Sequence, residues 1–352
     1  MNILEKIGVS AMFKLDPEVG HGLVIKALNM GLVTSKGPYT SDRLKTTIAG
    51  LDIPNPIGLA AGFDKNAQVI SPLLKAGFGF IEVGAATPKP QDGNPKPRLF
   101  RLIEDQASIN RFGFNNEGMR IIANRLSQRP QTGVVGINLG ANKTSSHRAI
   151  DYVKVLETCG PYVDFATINV SSPNTEKLRD LQGRSALTAL VAGVMETRDQ
   201  LDRHIPIFLK VAPDLTPTDI EDICYVARMS RIDAVIATNT TITRDGLQSE
   251  HANETGGLAG APLFDMSTQV LAQFANLLQG EVPLIGVGGI STAEQAYAKI
   301  KAGASAVQLY TALVYGGFSM VNDIARGLDH LLEHDGYPHI SDAIGVETET
   351  YL

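Results

Sequence analysis

Short apolar runs alternate with helical patterns along most of the chain, beginning after about residue 50. Eight of these runs are apolar without the period-two alternation of a half-exposed sheet, which predicts buried parallel strands. A segment with helical spacing of apolar residues follows each run. The predicted strands cover residues 56–59, 80–83, 134–138, 165–169, 207–210, 234–237, 284–287 and 306–309. The predicted helices cover residues 68–76, 117–127, 149–158, 186–201, 218–229, 267–278, 293–301 and 320–332.

Eight strand–helix units predict an α/β fold, a (β/α)8 TIM barrel, with an open doubly wound sheet as the alternative. Polar residues follow seven of the eight predicted strands. The barrel is favoured because its strand carboxyl ends and their loops form one active-site face. Two longer insertions, 87–116 and 241–262, are expected to lie over that face as a lid or a tunnel mouth.

Apolar residues also recur at helical spacing over residues 1–32, with Asp16-Pro17 as a break and helix start. This pattern predicts an extension of two amphipathic helices over residues 1–36, and residues 37–40 resemble a linker. The helices either pack on the main domain or form an apolar cap that rests on a bilayer or admits a lipophilic ligand. We expect the barrel domain to cover residues 37–335 and a polar, loosely packed tail to cover 336–352.

Composition narrows the classes of function. With 31 Lys and Arg against 37 Asp and Glu, the net charge of −6 gives no sign of a nucleic-acid binder. The two cysteines, Cys159 and Cys224, lack metal-ligand spacing, so we expect a reducing compartment and no metal site. Neither a transmembrane run nor a secretory signal is evident, which predicts a protein in the cytoplasm, free or on a membrane surface.

Two kinds of segment carry candidate chemistry. Residues 169–174, NVSSPN, place two amides and two hydroxyls after a strand, which suits a small polar substrate or, alternatively, a helix N-cap with a turn proline. Glycine-rich residues 286–290 and 302–306 belong to units seven and eight, where barrels often bind phosphate, although glycine also serves tight turns. Residues 256–260 add a further glycine-rich segment. Because no GxGxxG fingerprint is present, a mononucleotide such as FMN fits better than NAD.

These segments occur in a specific order that resembles a known family. They include 58–65 GLAAGFDK, 97–101 PRLFR, 110–116 NRFGFNN, 169–174 NVSSPN, 210–214 KVAPD, 237–241 ATNTT and 286–290 GVGGI. From about Leu15 to Leu332 the chain closely resembles the dihydroorotate dehydrogenase family, in particular its membrane-associated, quinone-using class. The resemblance implies oxidation of (S)-dihydroorotate to orotate in de novo pyrimidine synthesis. A hydride would pass from C6 to FMN, a proton would leave C5, and ubiquinone or menaquinone would accept the electrons.

The resemblance also assigns residues. Ser172 resembles the catalytic base, where the soluble class has a cysteine. Residues resembling the substrate contacts are Lys65, Asn110, Arg111, Phe112, Gly113, Phe114, Asn169, Asn174, Asn239 and Thr240. Those resembling the FMN contacts are Ala61, Gly62, Phe63, Asp64, Lys65, Ala85, Asn138, Asn169, Lys210, Thr238, Gly260, Gly289, Tyr310 and Thr311. His21 and Arg101 resemble polar quinone contacts, and Ala85 stands where family members often carry a threonine. The class implies a peripheral protein on the cytoplasmic side of the cell inner membrane, attached through the N-terminal helices.

Other interpretations stay open at this point. A soluble dehydrogenase using fumarate or NAD is disfavoured by Ser172 and by the helical extension. A barrel lyase or isomerase could form a Schiff base on Lys65 or Lys210. A non-catalytic membrane-surface binder would make the polar strand ends incidental. Lys65 and Lys210 could also be charged residues at the rim of the barrel. Asn138 and Asn239 could be buried amides that hydrogen-bond neighbouring strand ends to one another. His21 could be a packing or surface residue.

Overall fold

The structure, a computed structural model, describes residues 3–32, 37–174 and 178–352. Residues 1–2 and 33–36 of the predicted N-terminal extension lie outside the described residues. The strands are β1 (Thr46–Ile48), β2 (Leu51–Ile53), β3 (Ile57–Leu59), β4 (Phe80–Ala86), β5 (Leu99–Leu102), β6 (Ala107–Asn110), β7 (Val134–Leu139), β8 (Phe165–Asn169), β9 (Ile207–Val211), β10 (Ala234–Ala237), β11 (Gly257–Gly260), β12 (Leu284–Val287) and β13 (Ala306–Leu309). The α-helices are α1 (Ile3–Phe13), α2 (Pro17–Asn29), α3 (Ile70–Lys75), α4 (Met119–Ser127), α5 (Arg148–Cys159), α6 (Arg184–Asp199), α7 (Pro217–Met229), α8 (Phe264–Leu278), α9 (Ala293–Lys301), α10 (Ala312–Gly316) and α11 (Ser319–His334).

Eight parallel strands close into a barrel, which confirms the predicted (β/α)8 fold and excludes the open sheet. Their order around the barrel is β3, β4, β7, β8, β9, β10, β12 and β13, with β13 pairing back to β3. The strands are buried on both faces because side chains fill the interior and helices cover the outside. Two of the outer helices, α7 and α9, begin with complete capping boxes.

Aromatic residues fill the amino-terminal half of the barrel. The rings of Phe165 and Phe208 stack with centroids 4.7 Å apart, and Phe80 meets Phe165 at 6.2 Å. Position 136 must be glycine, because a Cβ there would lie 2.1 Å from the Phe165 ring. The hairpin of β1 and β2, which the sequence analysis did not predict, adds two isoleucines to this cluster and closes the end of the barrel. The polar residues that follow the strands therefore lie at the opposite, carboxyl end of the barrel.

Both predicted insertions contain β-structure that pairs between them. Strands β5 and β6 form an antiparallel hairpin, and β11 from the second insertion pairs antiparallel with β6. We call this three-stranded unit the lid sheet. Its own apolar cluster includes Phe100, Leu102, Ile109 and Leu258. The lid sheet positions Asn110 and the residues after it over the carboxyl end of the barrel.

The two predicted N-terminal helices are present as α1 and α2. Helix α2 starts where the sequence predicted, because the Asp16 side chain accepts the N–H groups of Glu18 and Val19 at 3.0 Å and Pro17 occupies the first turn. The inner face of α2 is buried through Ile25 and Leu28. Among the described residues, no helix combines the length and the apolarity needed to cross a membrane.

The prediction of a loosely packed C-terminal tail is wrong. Ile340 and Ala343 are fully buried in the main core, and Lys301 of α9 forms a 2.7 Å ion pair with Glu347. The Ile340 N–H also donates to Arg43 O, which ties the segment to the residues that precede the barrel. The polar composition of the segment misled the prediction, because the burial of two apolar side chains, Ile340 and Ala343, is enough to hold a short segment in place.

Candidate active site

A cavity of about 950 Å³ opens at the carboxyl end of the barrel and continues between α1 and α2. The strand ends form its floor, the lid sheet forms one wall, and the N-terminal helices form the entrance. The predicted residues that line it are His21, Ala61, Gly62, Phe63, Lys65, Ala85, Arg101, Asn110, Phe112, Gly113, Phe114, Asn138, Asn169, Ser172, Asn174, Lys210, Thr238, Asn239, Thr240, Gly260, Gly289, Tyr310 and Thr311.

The side chains of two predicted site residues are directed away from this cavity. Arg111 donates to a carboxylate oxygen of Glu254 at 2.7 Å and stacks on the Phe100 ring at 4.6 Å, which holds the lid sheet to the segment before β11. Asp64 accepts the backbone N–H groups of Gln68 and Val69, both at 2.8 Å. These two side chains shape the loops that carry the neighbouring site residues.

A fully buried carboxylate, Glu82 of β4, lies beneath the floor of the cavity. Its two oxygens accept the side-chain N–H groups of Asn138 at 2.6 Å and Gln308 at 2.8 Å. Asn138 in turn accepts from Asn169 at 2.8 Å. The oxygen of Asn169 then accepts from the Ser171 hydroxyl at 3.1 Å. One carboxylate is thus connected to the amides of β7 and β8.

The carboxylate determines which way these amides point. Both oxygens of Glu82 accept hydrogen bonds, so Asn138 turns its NH₂ group toward Glu82 and its oxygen toward Asn169. The same constraint then passes to Asn169, whose oxygen also faces the Asn239 NH₂ group at 3.4 Å. Glu82 therefore fixes the donor and acceptor pattern that the floor presents to a ligand.

Glu82 and Gln308 were not among the predicted functional residues. Both occupy strands that were interpreted only as apolar runs, and Glu82 is the sole charged residue of β4. That isolated carboxylate was the available signal, because a charge within a buried strand requires partners.

Lys65 extends into the cavity from the loop after β3. Its Nζ donates to Gly62 O at 2.7 Å and lies 4.3 Å from the centre of the Phe112 ring. Burial lowers the pKa of Lys65 to about 8, a shift that the nearby Glu18 carboxylate opposes. No carboxylate among the described residues hydrogen-bonds to Lys65 Nζ, so this group is suited to an anionic ligand.

Lys210, at the end of β9, is 5% exposed and faces the same cavity. Burial lowers the pKa of Lys210, and the charge of Glu82 offsets part of that effect. Within the described part of the chain, Lys210 Nζ donates no hydrogen bond to protein. The Lys210 amino group is therefore available to a bound group.

Ser172 lies in the cavity wall, 7% exposed. Its Oγ accepts the Asn174 N–H at 3.3 Å, and the Asn174 amide donates to Asn110 of the lid sheet at 3.3 Å. No His, Asp or Glu among the described residues hydrogen-bonds to the Ser172 hydroxyl.

The two predicted quinone contacts lie at the entrance. His21 packs edge-on against Phe63 with ring centroids 5.1 Å apart, and burial, followed by the charge of Lys65, lowers the pKa of His21 to about 3. It is therefore neutral at physiological pH. Arg101 donates to Phe13 O at 3.0 Å and Leu15 O at 2.7 Å, so it anchors the turn between α1 and α2 to the lid sheet.

A second connection joins α2 to the lid. Arg98, 7% exposed, donates to both carboxylate oxygens of Glu18 at 3.1 and 2.7 Å, and its guanidinium lies 5.6 Å from the Phe112 ring centre. Burial alone would raise the pKa of Glu18, but the hydrogen bond and charge of Arg98 lower it overall. The entrance helix and the Phe112 loop are thus held by one bidentate pair.

Comparisons with known proteins identify the family of the chain. The dihydroorotate dehydrogenase family model matches residues 43–332. A dihydroorotate dehydrogenase (quinone) of Cereibacter sphaeroides is 59% identical, with all of both chains covered. One from Brucella ovis is 48% identical over 99% of this chain and 97% of the relative. A crystal structure of DHODH from Eimeria tenella in complex with ferulenol superposes with a TM-score of 0.91 at 38% identity, covering 94% of this chain and 96% of that one. The chain belongs to the dihydroorotate dehydrogenase family.

Proposed function

We propose that this protein oxidises (S)-dihydroorotate to orotate in de novo pyrimidine synthesis, with FMN as cofactor and a membrane quinone, ubiquinone or menaquinone, as electron acceptor. The observation that carries the proposal is one continuous cavity that joins a polar floor at the barrel end to an apolar entrance between α1 and α2. The names of full-length relatives support the same reaction. None of these relatives is named as a Schiff-base enzyme, so the lyase alternative lacks support.

The residues present fit FMN. Lys210 provides a buried amino group with no protein acceptor among the described residues, and in its charged form it suits the negative charge that a reduced isoalloxazine ring carries. Asn138, Asn169 and Thr238 supply polar groups at the floor, and Gly289, after β12, lies where barrels bind phosphate. When bound, FMN supplies the two-electron acceptor for the substrate hydride.

The substrate site would lie between the floor and the lid sheet. Lys65 is the cation for the carboxylate of dihydroorotate, while Asn110, Asn174 and Asn239 supply donors and acceptors for the amide edges of the pyrimidine. Phe112 covers Lys65 from the lid side and limits the access of water to the ion pair.

Ser172 is the proposed base for the C5 proton. A serine hydroxyl is a weak base, so it would accept the C5 proton while passing its own proton on to water. The absence of a described carboxylate or imidazole beside Ser172 agrees with such a relay. Ser172 also distinguishes this chain from the soluble class, which has a cysteine at the corresponding position.

The entrance suits a lipophilic acceptor. Its walls include Val9, Met12, Leu23 and Val24, all apolar and all from α1 and α2. His21 and Arg101 are the proposed polar contacts for the quinone ring. They would use the ring nitrogens and guanidinium N–H groups that do not already hydrogen-bond to the protein. The extension over residues 1–36 would thus serve as the quinone entrance to the barrel domain.

Acceptor specificity tests this assignment. Steady-state oxidation of dihydroorotate should be rapid with a short-chain ubiquinone or menaquinone and should fall by at least about 100-fold with fumarate or NAD. Equal rates with fumarate would place the protein in the soluble class and would contradict the quinone entrance.

The affinity for orotate is expected to fall as pH rises through the pKa of Lys65, about 8. An anion favours the charged ammonium, so the pKa of Lys65 rises on binding and orotate is bound with proton uptake. The dissociation constant should increase by up to about tenfold per pH unit above pH 8, until the pKa of the complex is reached. Titrations followed by flavin absorbance between about pH 6.5 and 9 measure it.

Lys65→Arg is the control for this pH dependence, because a guanidinium stays charged throughout the range. Any titration of orotate itself would persist in that variant. A dissociation constant that does not change with pH in the wild type would contradict Lys65 as the carboxylate partner.

Attachment to the membrane is proposed to occur through the outer faces of α1 and α2. Ile7, Val19 and Met30 are 61%, 54% and 68% exposed and do not line the cavity. Replacing all three with aspartate should weaken binding to phosphatidylethanolamine–phosphatidylglycerol vesicles by at least about tenfold, because each buried apolar side chain contributes about 1.5–3 kcal/mol. Cosedimentation measures the bound fraction.

A matched triple variant on the barrel helices is the control. Ile121, Ile150 and Met229 are 46%, 49% and 67% exposed on α4, α5 and α7. Replacing these three with aspartate should leave vesicle binding unchanged. Equal loss in both triple variants would show that attachment does not depend on the N-terminal helices.

A further inference from the structure

A second buried lysine lies outside the chemistry described so far. Lys299 of α9 has no exposed surface, and its Nζ donates to Ser267 Oγ at 2.6 Å and to Phe264 O at 3.4 Å. Burial lowers its pKa far below the usual range, and the exposed Asp265 offsets this only partly. No carboxylate among the described residues hydrogen-bonds to Lys299, which is unusual for a fully buried lysine.

The contacts of Lys299 lead to the glycine loop after β12. Ser267 Oγ accepts from Lys299 and has a single proton to donate, which faces two carbonyls, Phe264 O at 3.1 Å and Gly288 O at 3.2 Å. A Cβ on Gly288 would lie 2.6 Å from Ser267 Oγ, and one on Gly289 would lie 2.5 Å from Phe264 Cβ. The loop is therefore seated tightly on the first turn of α8. Ser267, with Lys299 hydrogen-bonded to it, contacts the loop from the side that faces away from the cavity.

The other face of this loop lines the cavity. Gly288 and Gly289 have φ values of 119° and 72°, and among the described residues neither N–H donates to a backbone or side-chain acceptor. Both glycines line the cavity, and backbone N–H groups without a protein acceptor can donate to a bound anion there. The loop follows the seventh barrel strand, where barrels frequently bind phosphate.

We propose that Lys299 is a positioning residue that holds the Gly288–Gly289 loop in the shape that binds the phosphate group of the flavin. This inference rests on the proposed use of FMN. Lys299 is not among the described residues that line the cavity, so its effect passes through the Ser267 hydroxyl, which contacts the Gly288 carbonyl and the first turn of α8. An anion on the cavity side also favours the charged form of the lysine.

Riboflavin, which lacks the phosphate, separates this role from general stability. The full-length chain, freed of flavin, is titrated with FMN and with riboflavin, and binding is followed by quenching of flavin fluorescence. Lys299→Met should weaken FMN binding by at least about tenfold and change riboflavin binding by less than about twofold. Lys301→Met is the matched control, since Lys301 lies on the same helix but pairs with Glu347 away from the loop. It should bind both flavins as the wild type does.

The outcomes are distinct. Failure of the wild type to bind FMN would overturn the proposed function. Unchanged FMN binding by Lys299→Met, or equal weakening of FMN and riboflavin, would overturn the role of Lys299 alone. Should Lys299→Met fail to fold, Ser267→Ala removes only the connecting hydroxyl and should show the same selective loss of FMN. Wild-type FMN affinity in that variant would also contradict the proposal.

Discussion

Replacing Ser172 with alanine is expected to slow dihydroorotate oxidation by about 100- to 10,000-fold, the usual range for loss of a positioned base. Orotate affinity should change by less than about threefold, because the Ser172 hydroxyl contacts only the Asn174 N–H within the described structure. Single-turnover reduction of the flavin by dihydroorotate measures the rate, and equilibrium titration with orotate measures the affinity.

Ser172→Cys is the matched control. A thiol occupies nearly the same volume and can carry a proton, and the soluble class has cysteine at this position, so this variant should retain more activity than alanine. An alanine variant with wild-type reduction rates would exclude Ser172 as the base. It would direct attention to water or to another group in the cavity wall.

Replacing Glu82 with leucine is expected to lower the free energy of unfolding by about 3–5 kcal/mol. The buried NH₂ groups of Asn138 and Gln308 would lose their acceptor, and Lys210 would lose the charge that favours its protonated form. The floor amides would no longer be held in one orientation, so FMN binding should weaken together with stability. Urea unfolding of the flavin-free chain and FMN titration measure the two effects.

Glu82→Gln separates charge from hydrogen bonding. Its side-chain oxygen can still accept from Asn138, and Gln308 can turn over, since Gln308 Oε1 has no hydrogen-bond partner among the described residues. We therefore expect less than half of the destabilisation caused by leucine. A Glu82→Leu variant with the stability of the wild type would show that the hydrogen bonds of the floor do not depend on the carboxylate.

The sequence predicted the barrel well because its signal is local. Each strand is a short apolar run, and the predicted bounds agree with β8, β10, β12 and β13 at both ends. Helix α8 begins three residues earlier than predicted, at Phe264, because a 3-10 turn over Ala261–Leu263 leads into it.

The missed elements depend on contacts between distant segments. The lid sheet requires β11 to pair with β6 across more than a hundred residues, and neither strand has a strong apolar pattern of its own. The β1–β2 hairpin is recognisable only through the barrel end that it covers. The C-terminal segment is polar overall, yet Ile340 and Ala343 bury it.

The residues of the candidate site could be predicted from motifs, but the hydrogen bonds and ion pairs that connect them could not. The motifs located the residues that line the cavity, including Lys65, Ser172 and Lys210. They did not indicate that Glu82 orients the floor amides or that Arg98 joins Glu18 to the Phe112 loop, because both relations exist only in three dimensions.

The central claim is that one cavity transfers electrons from dihydroorotate to a quinone through a bound flavin. The most direct test is anaerobic absorbance of the purified, detergent-solubilised protein, mixed first with dihydroorotate and then with a short-chain ubiquinone, fumarate or NAD in separate runs. We predict that dihydroorotate bleaches the flavin band and that only the quinone restores it rapidly. Absence of a flavin band, or a band that dihydroorotate leaves unchanged, would contradict the account.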